Sequence, residues 1–231
     1  MALIEELVKE GWLKTPRIIT AFKKIKRKDF MPKDAENLAE LNNALPIGFG
    51  QTISQPLVVA FMLEQLQPEP GDKILDIGFG SGWTTALLAH IVSQKGNSKL
   101  QIPKDKQISN SNKQNSKLKD LNGKILAIEI ILELKKIGEQ NVAKYNFMEK
   151  RIVDCICADG SKGYAEEAPF DKILVSASAE TAPRAWKEQL KIGGRIVAPI
   201  GSSIWLFIKK GETKFEEYEY PGFAFVPLIN R

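Results

Sequence analysis

The spacing of apolar residues divides the chain into a helical N-terminal part and a second part in which two patterns alternate. Up to about residue 40, apolar positions recur at helical spacing in short stretches broken by Gly11, Pro16 and Pro32. Residues 43–55 contain glycine and proline and are predicted to form a loop. The next helix is expected over residues 56–67, because proline suits the first turn of a helix.

From residue 73 onward, short continuous apolar runs alternate with helical patterns. Such runs are typical of strands in a parallel sheet that helices cover on both faces. Two strand-like runs in the tail, joined at residues 210–212, predict a hairpin. We expect strands at 73–77, 124–129, 151–157, 171–176 and 195–199, and helices at 82–92, 132–145 and 183–190. The pattern predicts one α/β domain over residues 1–231, with a Rossmann-like, doubly wound, mostly parallel sheet of about seven strands.

Residues 93–122 interrupt the alternation with a segment rich in Lys, Asn, Ser and Gln. Its seven lysines and two aspartates account for the whole formal excess of +5, so the rest of the chain is neutral. A segment with so few apolar residues buries too little surface to offset the entropy lost on ordering. We therefore expect a flexible surface insertion. A tether for nucleic acid is the alternative, although a nucleic-acid partner is not expected.

A second basic run covers residues 22–30. Ile18, Ile19, Phe22 and Ile25 recur at helical spacing, with lysines between them. The pattern indicates an amphipathic helix with a solvated basic face.

Cysteine and histidine are scarce, and this limits the kinds of catalytic and metal-binding site that the chain can form. Cys155 and Cys157 are the only cysteines and share one apolar run, so we expect buried, unreactive thiols and no disulfide framework. His90 is the only histidine, and its place in an apolar helix indicates a structural role. A Ser-His hydrolase, a histidine-rich metal site and a zinc deaminase are therefore disfavoured, and no metal is expected.

The distribution of charge also bears on the compartment. No apolar run approaches the roughly 18 residues of a membrane span, and charges interrupt the first thirty residues throughout. Neither a membrane segment nor a secretory signal is expected. The cytoplasm is the expected location.

Ligands of doubly wound sheets bind at the carboxyl ends of the strands, and the first such end carries a glycine-rich turn. Asp76 lies at the end of that strand, and Gly78, Gly80 and Gly82 follow. These glycines allow a tight turn, close approach of the backbone to a ligand and close packing of the next helix. The signal is weak alone, because a plain strand–helix turn has the same composition. Trp83 occupies the position of a fingerprint glycine, which disfavours a pyrophosphate site.

Two further strand ends carry acidic residues at the spacing of an adenosine site. With the insertion left out, Glu129 follows Gly78 by about 21 residues, the interval at which a carboxylate reaches a ribose. Asp159 and Gly160 follow the third strand, in position to meet an adenine edge. The combination matches the class I methyltransferase pattern for S-adenosylmethionine, in which the glycine loop faces the methionine part.

A narrower resemblance is carried by LPIGFGQTISQP at residues 45–56, upstream of LDIGFGSG. These stretches, with FDKILVSASAE at 170–180, LKIGGRIVAPIG at 190–201 and the terminal FVPL, resemble the protein-L-isoaspartate O-methyltransferase family over nearly the whole chain except the insertion. GQTIS is the specific element, because general methyltransferases lack it. The resemblance implies repair of aged proteins by methyl transfer from S-adenosylmethionine to the free α-carboxylate of L-isoaspartyl residues.

The resemblance also implies roles for individual residues. Ser54 matches the active-site serine of the family. Phe79 and Trp83 depart from the family pattern, where the first position is usually small and the second tyrosine-like. The expected cofactor-binding residues are Gln51, Thr52, Ile53, Asp76, Gly78, Gly80, Glu129, Asp159 and Gly160, and the expected substrate-binding residues are Ile53, Ser54, Val226 and Pro227.

The proposed chemistry suits a site poor in histidine and cysteine. An α-carboxylate ionises near pH 3.5–4, so the nucleophile is already an anion and needs no general base. We expect the Ser54 hydroxyl and neighbouring backbone N–H groups to orient that carboxylate. The alternative role for Ser54 is a cap on the helix that starts at Pro56.

Two other functions remain open from the sequence. A methyltransferase of RNA or of a small molecule would need a substrate motif such as Asn-Pro-Pro-Tyr after the fourth strand, where this chain has Ser176-Ala177-Ser178-Ala179. A non-catalytic module would retain the cofactor and use the lysine-rich insertion to hold a partner. Isoaspartyl proteins and peptides are the expected partners, and a monomer is expected.

Overall fold

A computed structural model describes residues 3–94 and 123–230 of the chain. Short 3-10 helices lie at Arg27–Phe30, Lys33–Leu38, Gly160–Lys162 and Ala165–Glu167. The longer elements in chain order are α1 (Leu3–Lys9), α2 (Pro16–Lys24), β1 (Leu45–Gly48), β2 (Gln51–Ile53), α3 (Pro56–Leu66), β3 (Lys73–Ile77), α4 (Trp83–Val92), β4 (Lys124–Glu129), α5 (Leu132–Ala143), β5 (Val153–Cys157), β6 (Phe170–Val175), α6 (Arg184–Glu188), β7 (Leu190–Ile200), β8 (Ser203–Lys209) and β9 (Phe215–Pro221).

Seven strands form one sheet in the order β5-β4-β3-β6-β7-β8-β9. The pairs from β5 to β7 are parallel, and β8 and β9 add antiparallel strands at one edge. The predicted doubly wound sheet of about seven strands and the predicted tail hairpin are both confirmed. The chain runs outward from β3 through β4 on one side and through β6 on the other. Such a reversal of strand order opens a crevice at the carboxyl ends.

The apolar runs form strands because both faces of the sheet are covered. Ile74 and Leu75 are neighbours in β3, point to opposite faces and are both fully buried. Ile74 belongs to the core under the N-terminal helices and α3–α5, whereas Leu75 packs in a second core with Trp186 of α6. This two-sided burial explains the continuous apolar character of the run.

The segment predicted as a loop at 43–55 contains an antiparallel hairpin, β1–β2, in which Leu45 lies opposite Ile53. The chain reverses at Gly48, Phe49 and Gly50, whose φ angles of 91°, 55° and 70° all lie in the left-handed region. The prediction was wrong because these residues do not alternate between apolar and polar in the way that identifies a strand.

Three other boundaries differ from the sequence prediction. Pro16 begins α2 instead of ending a helix, because it stands at the first turn, where its missing N–H is not needed. The last parallel strand starts at Leu190 and not at residue 195, with a break in its register opposite Phe170 and Lys172. The preceding helix, α6, is correspondingly shorter than the predicted range 183–190.

The two cysteines do not share one environment. Cys155 is half-buried, and burial raises the pKa of its thiol to about 12, which makes it unreactive. Cys157 is exposed at the carboxyl end of the same strand. The prediction of two buried thiols was wrong for Cys157.

Two further predictions concern features outside the sheet. The lysine-rich insertion predicted over 93–122 lies, from residue 95 on, outside the described residues. In the ranges 3–94 and 123–230, none of the helices combines the length and the apolar character that crossing a bilayer requires.

Candidate active site

A pocket opens at the carboxyl ends of β3, β4 and β6, where the strand order reverses. Its walls come from the glycine loop after β3, the end of β4, the β1–β2 hairpin and the C-terminal tail. The structure brings most of the predicted site residues together here. Those in the lining are Gln51, Thr52, Ile53, Ser54, Gly78, Gly80, Glu129, Gly160, Val226 and Pro227.

The glycine loop turns tightly between β3 and α4. Gly78, Gly80 and Gly82 have φ angles of 75°, 51° and 87°, in the region that favours glycine. The Gly78 N–H donates to the Ile128 carbonyl oxygen at 2.8 Å, which fixes the start of the loop against β4.

Phe79 is accommodated by a glycine that sequence analysis did not single out. A Cβ atom on Gly138 of α5 would lie 2.5 Å from Cε2 of Phe79 and would also fall on the Gly80 carbonyl oxygen. The absence of a side chain at position 138 therefore makes room for a large residue at position 79. Phe79 is buried there.

Glu129 joins the glycine loop to the end of β4. Its Oε2 accepts the Gly80 N–H at 3.1 Å, and its Oε1 accepts the N–H groups of Ile130 at 2.9 Å and Ile131 at 3.1 Å. A carboxylate offers about four acceptor positions. Oε2 therefore retains one position that a ribose hydroxyl can use.

Asp76 was predicted to bind the cofactor, but it lies beneath the lining instead of in it. Its Oδ2 accepts the Thr85 hydroxyl of α4 at 2.6 Å, and its Oδ1 is buried without a partner among the described residues. Burial raises the pKa of this carboxyl to about 7. In this structure the Asp76 side chain links the end of β3 to α4, and its contact with a cofactor stays a prediction.

The Asp159 carboxylate is also turned away from the lining. It accepts the backbone N–H of Ser161 at 3.0 Å and the Ser161 hydroxyl at 2.6 Å, and it pairs with Lys162 at 3.3 Å. Its neighbours Ala158 and Gly160 do line the pocket. The predicted contact of Asp159 with an adenine therefore stays a prediction.

A second cavity adjoins the pocket on the side of the hairpin. The two share Thr52, Ser54, Ser176 and Val226, and the second cavity adds Ala44, Gln55, Val58, Ala224 and Phe225. Within the described ranges, the hydroxyls of Thr52, Ser54 and Ser176 form no hydrogen bond. Three hydroxyl donors are thus available at the junction of the cavities.

The alternative role for Ser54, a cap on α3, is not what the structure has. Gln55 is the N-cap residue of α3 and its side chain forms no cap hydrogen bond, while Oδ1 of Asn42 accepts the Leu57 N–H in the first turn at 3.0 Å. The Ser54 hydroxyl is therefore not engaged by the helix that begins at Pro56.

The C-terminal tail forms another part of the pocket wall. Ser178 donates its N–H to the Val226 carbonyl oxygen at 2.8 Å and accepts the Leu228 N–H at 2.7 Å. This short parallel bridge holds Val226 and Pro227 beside the strand end that carries Ser176. Sequence analysis did not assign Ser176 to the site, although its position directly after β6 could have revealed it.

The whole chain is similar in sequence to one family of methyltransferases. The family model of protein-L-isoaspartate(D-aspartate) O-methyltransferase matches residues 1–231. The chain belongs to this family. The protein-L-isoaspartate O-methyltransferases of Methanopyrus kandleri and Hyperthermus butylicus are 36% and 34% identical to it, over 98% of this chain and 89% and 87% of their own lengths. The resemblance noted in the sequence is confirmed.

Two solved structures share the fold over nearly the whole chain. One is a Plasmodium falciparum chain assigned as a protein-L-isoaspartate O-methyltransferase, in complex with S-adenosyl-L-homocysteine, with a TM-score of 0.79 at 20% identity. It covers 99% of this chain and 97% of its own. A second protein-L-isoaspartate O-methyltransferase has a TM-score of 0.77 at 24% identity and covers 97% of this chain and 64% of its own. The predicted class I methyltransferase fold is confirmed.

Proposed function

We propose that the chain transfers a methyl group from S-adenosylmethionine to the free α-carboxylate of L-isoaspartyl residues in damaged proteins and peptides. The observation that carries the proposal is the junction of two cavities at Thr52 and Ser54. One cavity is built from the glycine loop and Glu129, and the other is open to a peptide. Membership of the family supports the same activity.

The residues of the first cavity fit an adenosyl group. Oε2 of Glu129 has an acceptor position left for a ribose hydroxyl, and the apolar Ile128, Ile130 and Ala158 form a surface for a base. When bound, S-adenosylmethionine supplies a methyl group activated by its attachment to a sulfonium. Among the described residues, no cluster of three or more His, Cys, Asp or Glu side chains could hold a metal ion.

The protein has to position the substrate and exclude water. An isoaspartyl α-carboxylate is ionised at neutral pH, since such groups titrate near pH 3.5–4. The hydroxyls of Thr52 and Ser54 donate hydrogen bonds to it and leave one oxygen directed at the neighbouring cavity. Alignment of this kind contributes about 7–11 kcal/mol to a rate enhancement. Ser54 is an orienting donor in this scheme, and Val226 and Pro227 bound the peptide from the tail side.

The substrate assignment is tested with two peptides that differ only in aspartate versus isoaspartate, incubated with methyl-labelled S-adenosylmethionine. We expect label on the isoaspartyl peptide alone. Ser54→Ala should lower kcat/KM by about 10- to 100-fold, because a hydrogen bond to a charged group contributes about 1.5–3 kcal/mol. Label on neither peptide, or on the aspartyl peptide alone, refutes the substrate. Full turnover by Ser54→Ala refutes the role of Ser54.

A non-catalytic module that holds a partner through its lysine-rich insertion is the second candidate. Deletion of residues 94–121 distinguishes the two candidate functions. Undiminished methylation by the deletion variant supports the enzyme, whereas loss of a bound partner from a chain without methylation activity supports the module.

We also propose that the enzyme acts as a cytoplasmic monomer without a nucleic-acid partner. The exposed Cys157 thiol is free, which suits a reducing compartment. Light scattering of the purified protein tests the oligomeric state. Treatment with nuclease tests for bound nucleic acid, and we expect it to leave the elution of the protein from a size-exclusion column unchanged.

A further inference from the structure

Arg27 is buried, although the sequence pattern places it on a solvated basic face. Only 6% of its surface is exposed. Its Nη1 donates to the carbonyl oxygens of Ala39 at 3.2 Å and Leu41 at 2.9 Å. Its Nη2 donates to those of Asn43 at 2.7 Å and Ser54 at 3.2 Å. Each terminal nitrogen carries two N–H groups, so all four are used on backbone carbonyls.

Two of these carbonyls stand at the two ends of the β1–β2 hairpin. Asn43 precedes β1, which begins at Leu45, and Ser54 follows β2 directly. Within the hairpin, β1 and β2 share three paired positions with a break in their register, and the side chains of Ile47 and Ile53 anchor its strands in the core. At its tip, a Cβ atom added to Gly48 or Gly50 would meet nothing within 4 Å. One guanidinium therefore fixes both ends of a short hairpin whose tip is open.

The same guanidinium contacts the helix that follows the glycine loop. Its central carbon lies 5.5 Å from the centroid of the Trp83 ring, within the range of a cation–π interaction. Trp83 is the first residue of α4 and lines the cofactor pocket. Burial lowers the pKa of Arg27 to about 10, with a nearby Glu40 acting in the opposite sense, so the side chain is charged at neutral pH.

We propose that Arg27 is a positioning residue for methyl transfer. It sets the place of the hairpin that carries Thr52 and Ser54 relative to the glycine loop, and so aligns the substrate carboxylate with the methyl donor. The inference rests on the proposed function. Lysine cannot substitute, because an ammonium has three donors at one point and lacks the planar fork that reaches four carbonyls.

The kinetic test compares Arg27→Lys and Arg27→Ala with the unaltered chain on an isoaspartyl peptide. A misplacement of about 1 Å lowers a rate by on the order of 100-fold, and we expect a loss of this size in kcat/KM for both variants. The affinity for S-adenosylhomocysteine, measured by calorimetry, should stay close to that of the unaltered chain. Arg17→Ala is the matched control, because Arg17 bonds the Pro68 carbonyl at 2.7 Å, away from the hairpin, and should keep full activity.

Chemical rescue distinguishes positioning from a general contribution to folding. Arg27 lines a cavity together with Phe22, Glu40 and Pro56, so truncation to alanine leaves a space that a small cation can enter. Added methylguanidinium should restore part of the activity of Arg27→Ala and leave Arg27→Lys unchanged. Unchanged kcat/KM in Arg27→Lys overturns the proposal. So does a parallel loss of peptide turnover, cofactor affinity and melting temperature that methylguanidinium does not reverse.

Hydrogen exchange supplies a readout that does not depend on activity. In Arg27→Lys, amides of residues 43–54 should exchange faster, while those of β3, β4 and β6 keep their protection. If the unaltered chain fails to methylate isoaspartyl peptides, the proposed function is wrong, yet the exchange result still decides whether Arg27 holds the hairpin. Equal protection of residues 43–54 in both proteins refutes that role.

Discussion

Gly82 and Gly138 lie against each other where α4 and α5 meet behind the cofactor pocket. A Cβ atom on Gly82 would lie 2.7 Å from the Gly138 carbonyl oxygen and 2.8 Å from Cγ2 of Val142. A Cβ on Gly138 would meet the ring of Phe79 instead. The close approach of the two helices thus fixes the position of the loop between Gly78 and Gly82.

Gly138→Ala should therefore weaken cofactor binding and destabilise the fold. Overpacking of a well-packed contact costs about 1–3 kcal/mol, and the displaced ring of Phe79 would shift the glycine loop. The double variant Phe79→Ala/Gly138→Ala should recover only part of the lost affinity for S-adenosylhomocysteine, because the smaller residue at 79 removes the clash with the ring but not the one with the Gly80 carbonyl oxygen. Calorimetry on both single variants and the double variant measures this coupling. Additive losses in the double variant would contradict it.

Glu129→Gln should weaken binding of S-adenosylhomocysteine. Three backbone N–H groups donate to this carboxylate, and a glutamine turns an NH2 group toward some of them. Hydrogen bonds to a charged group contribute about 1.5–3 kcal/mol, so a loss of roughly 10- to 100-fold in affinity is expected. Glu133→Gln is the control, since that side chain is exposed on the first turn of α5. Equal affinities of the two variants would rule out the role of Glu129.

The sequence was sufficient to predict the sheet and the pocket-lining residues that lie at the ends of strands. Glu129 and the glycine loop were found because parallel strands end at one edge, and chain order alone places those ends together. Asp159 satisfies the same rule, yet its carboxylate is engaged by Ser161 two residues later, a local bond that competes with a ligand.

Other parts depend on contacts that no periodicity records. The carbonyls that surround Arg27 come from residues 39–54, so a helical pattern around residue 27 gives no sign of its burial. The role of Gly138 appears only when Phe79 of a different element is placed against it. Both depend on packing between segments distant in the sequence.

Ser176→Ala should raise KM for the isoaspartyl peptide and leave cofactor affinity unchanged. Ser176 lies at the junction of the two cavities, where its hydroxyl makes no hydrogen bond within the described part of the chain. Loss of a donor to a charged carboxylate costs about 1.5–3 kcal/mol, or roughly 10- to 100-fold in kcat/KM. Ser178→Ala is the matched control, because its hydroxyl donates to the Gly201 carbonyl outside the pocket. Steady-state kinetics in which the two variants behave alike would exclude a role for Ser176.

The buried carboxyl of Asp76 should make the free energy of unfolding depend on pH. Burial raises the pKa of its carboxyl from the ordinary value of 3.8 to about 7, with Thr85 as its hydrogen-bond donor. Between these values the folded chain keeps a proton that the unfolded chain releases, so the contribution of this group to stability falls as pH rises from about 4 to 7 and then levels off. Asp76→Asn is neutral at every pH and can still accept the Thr85 hydroxyl.

Urea denaturation across that pH range tests the prediction. The free energy of unfolding of the unaltered chain should decline relative to that of Asp76→Asn as pH rises from 4 to 7, because only the aspartate has to ionise in a buried site. Well below pH 4 the difference between the two chains should be constant, since Asp76 is then protonated in both the folded and the unfolded chain. A difference that does not vary between pH 4 and 7 would mean that the Asp76 carboxyl is ionised in the fold throughout, with its unpartnered Oδ1 hydrated instead of buried.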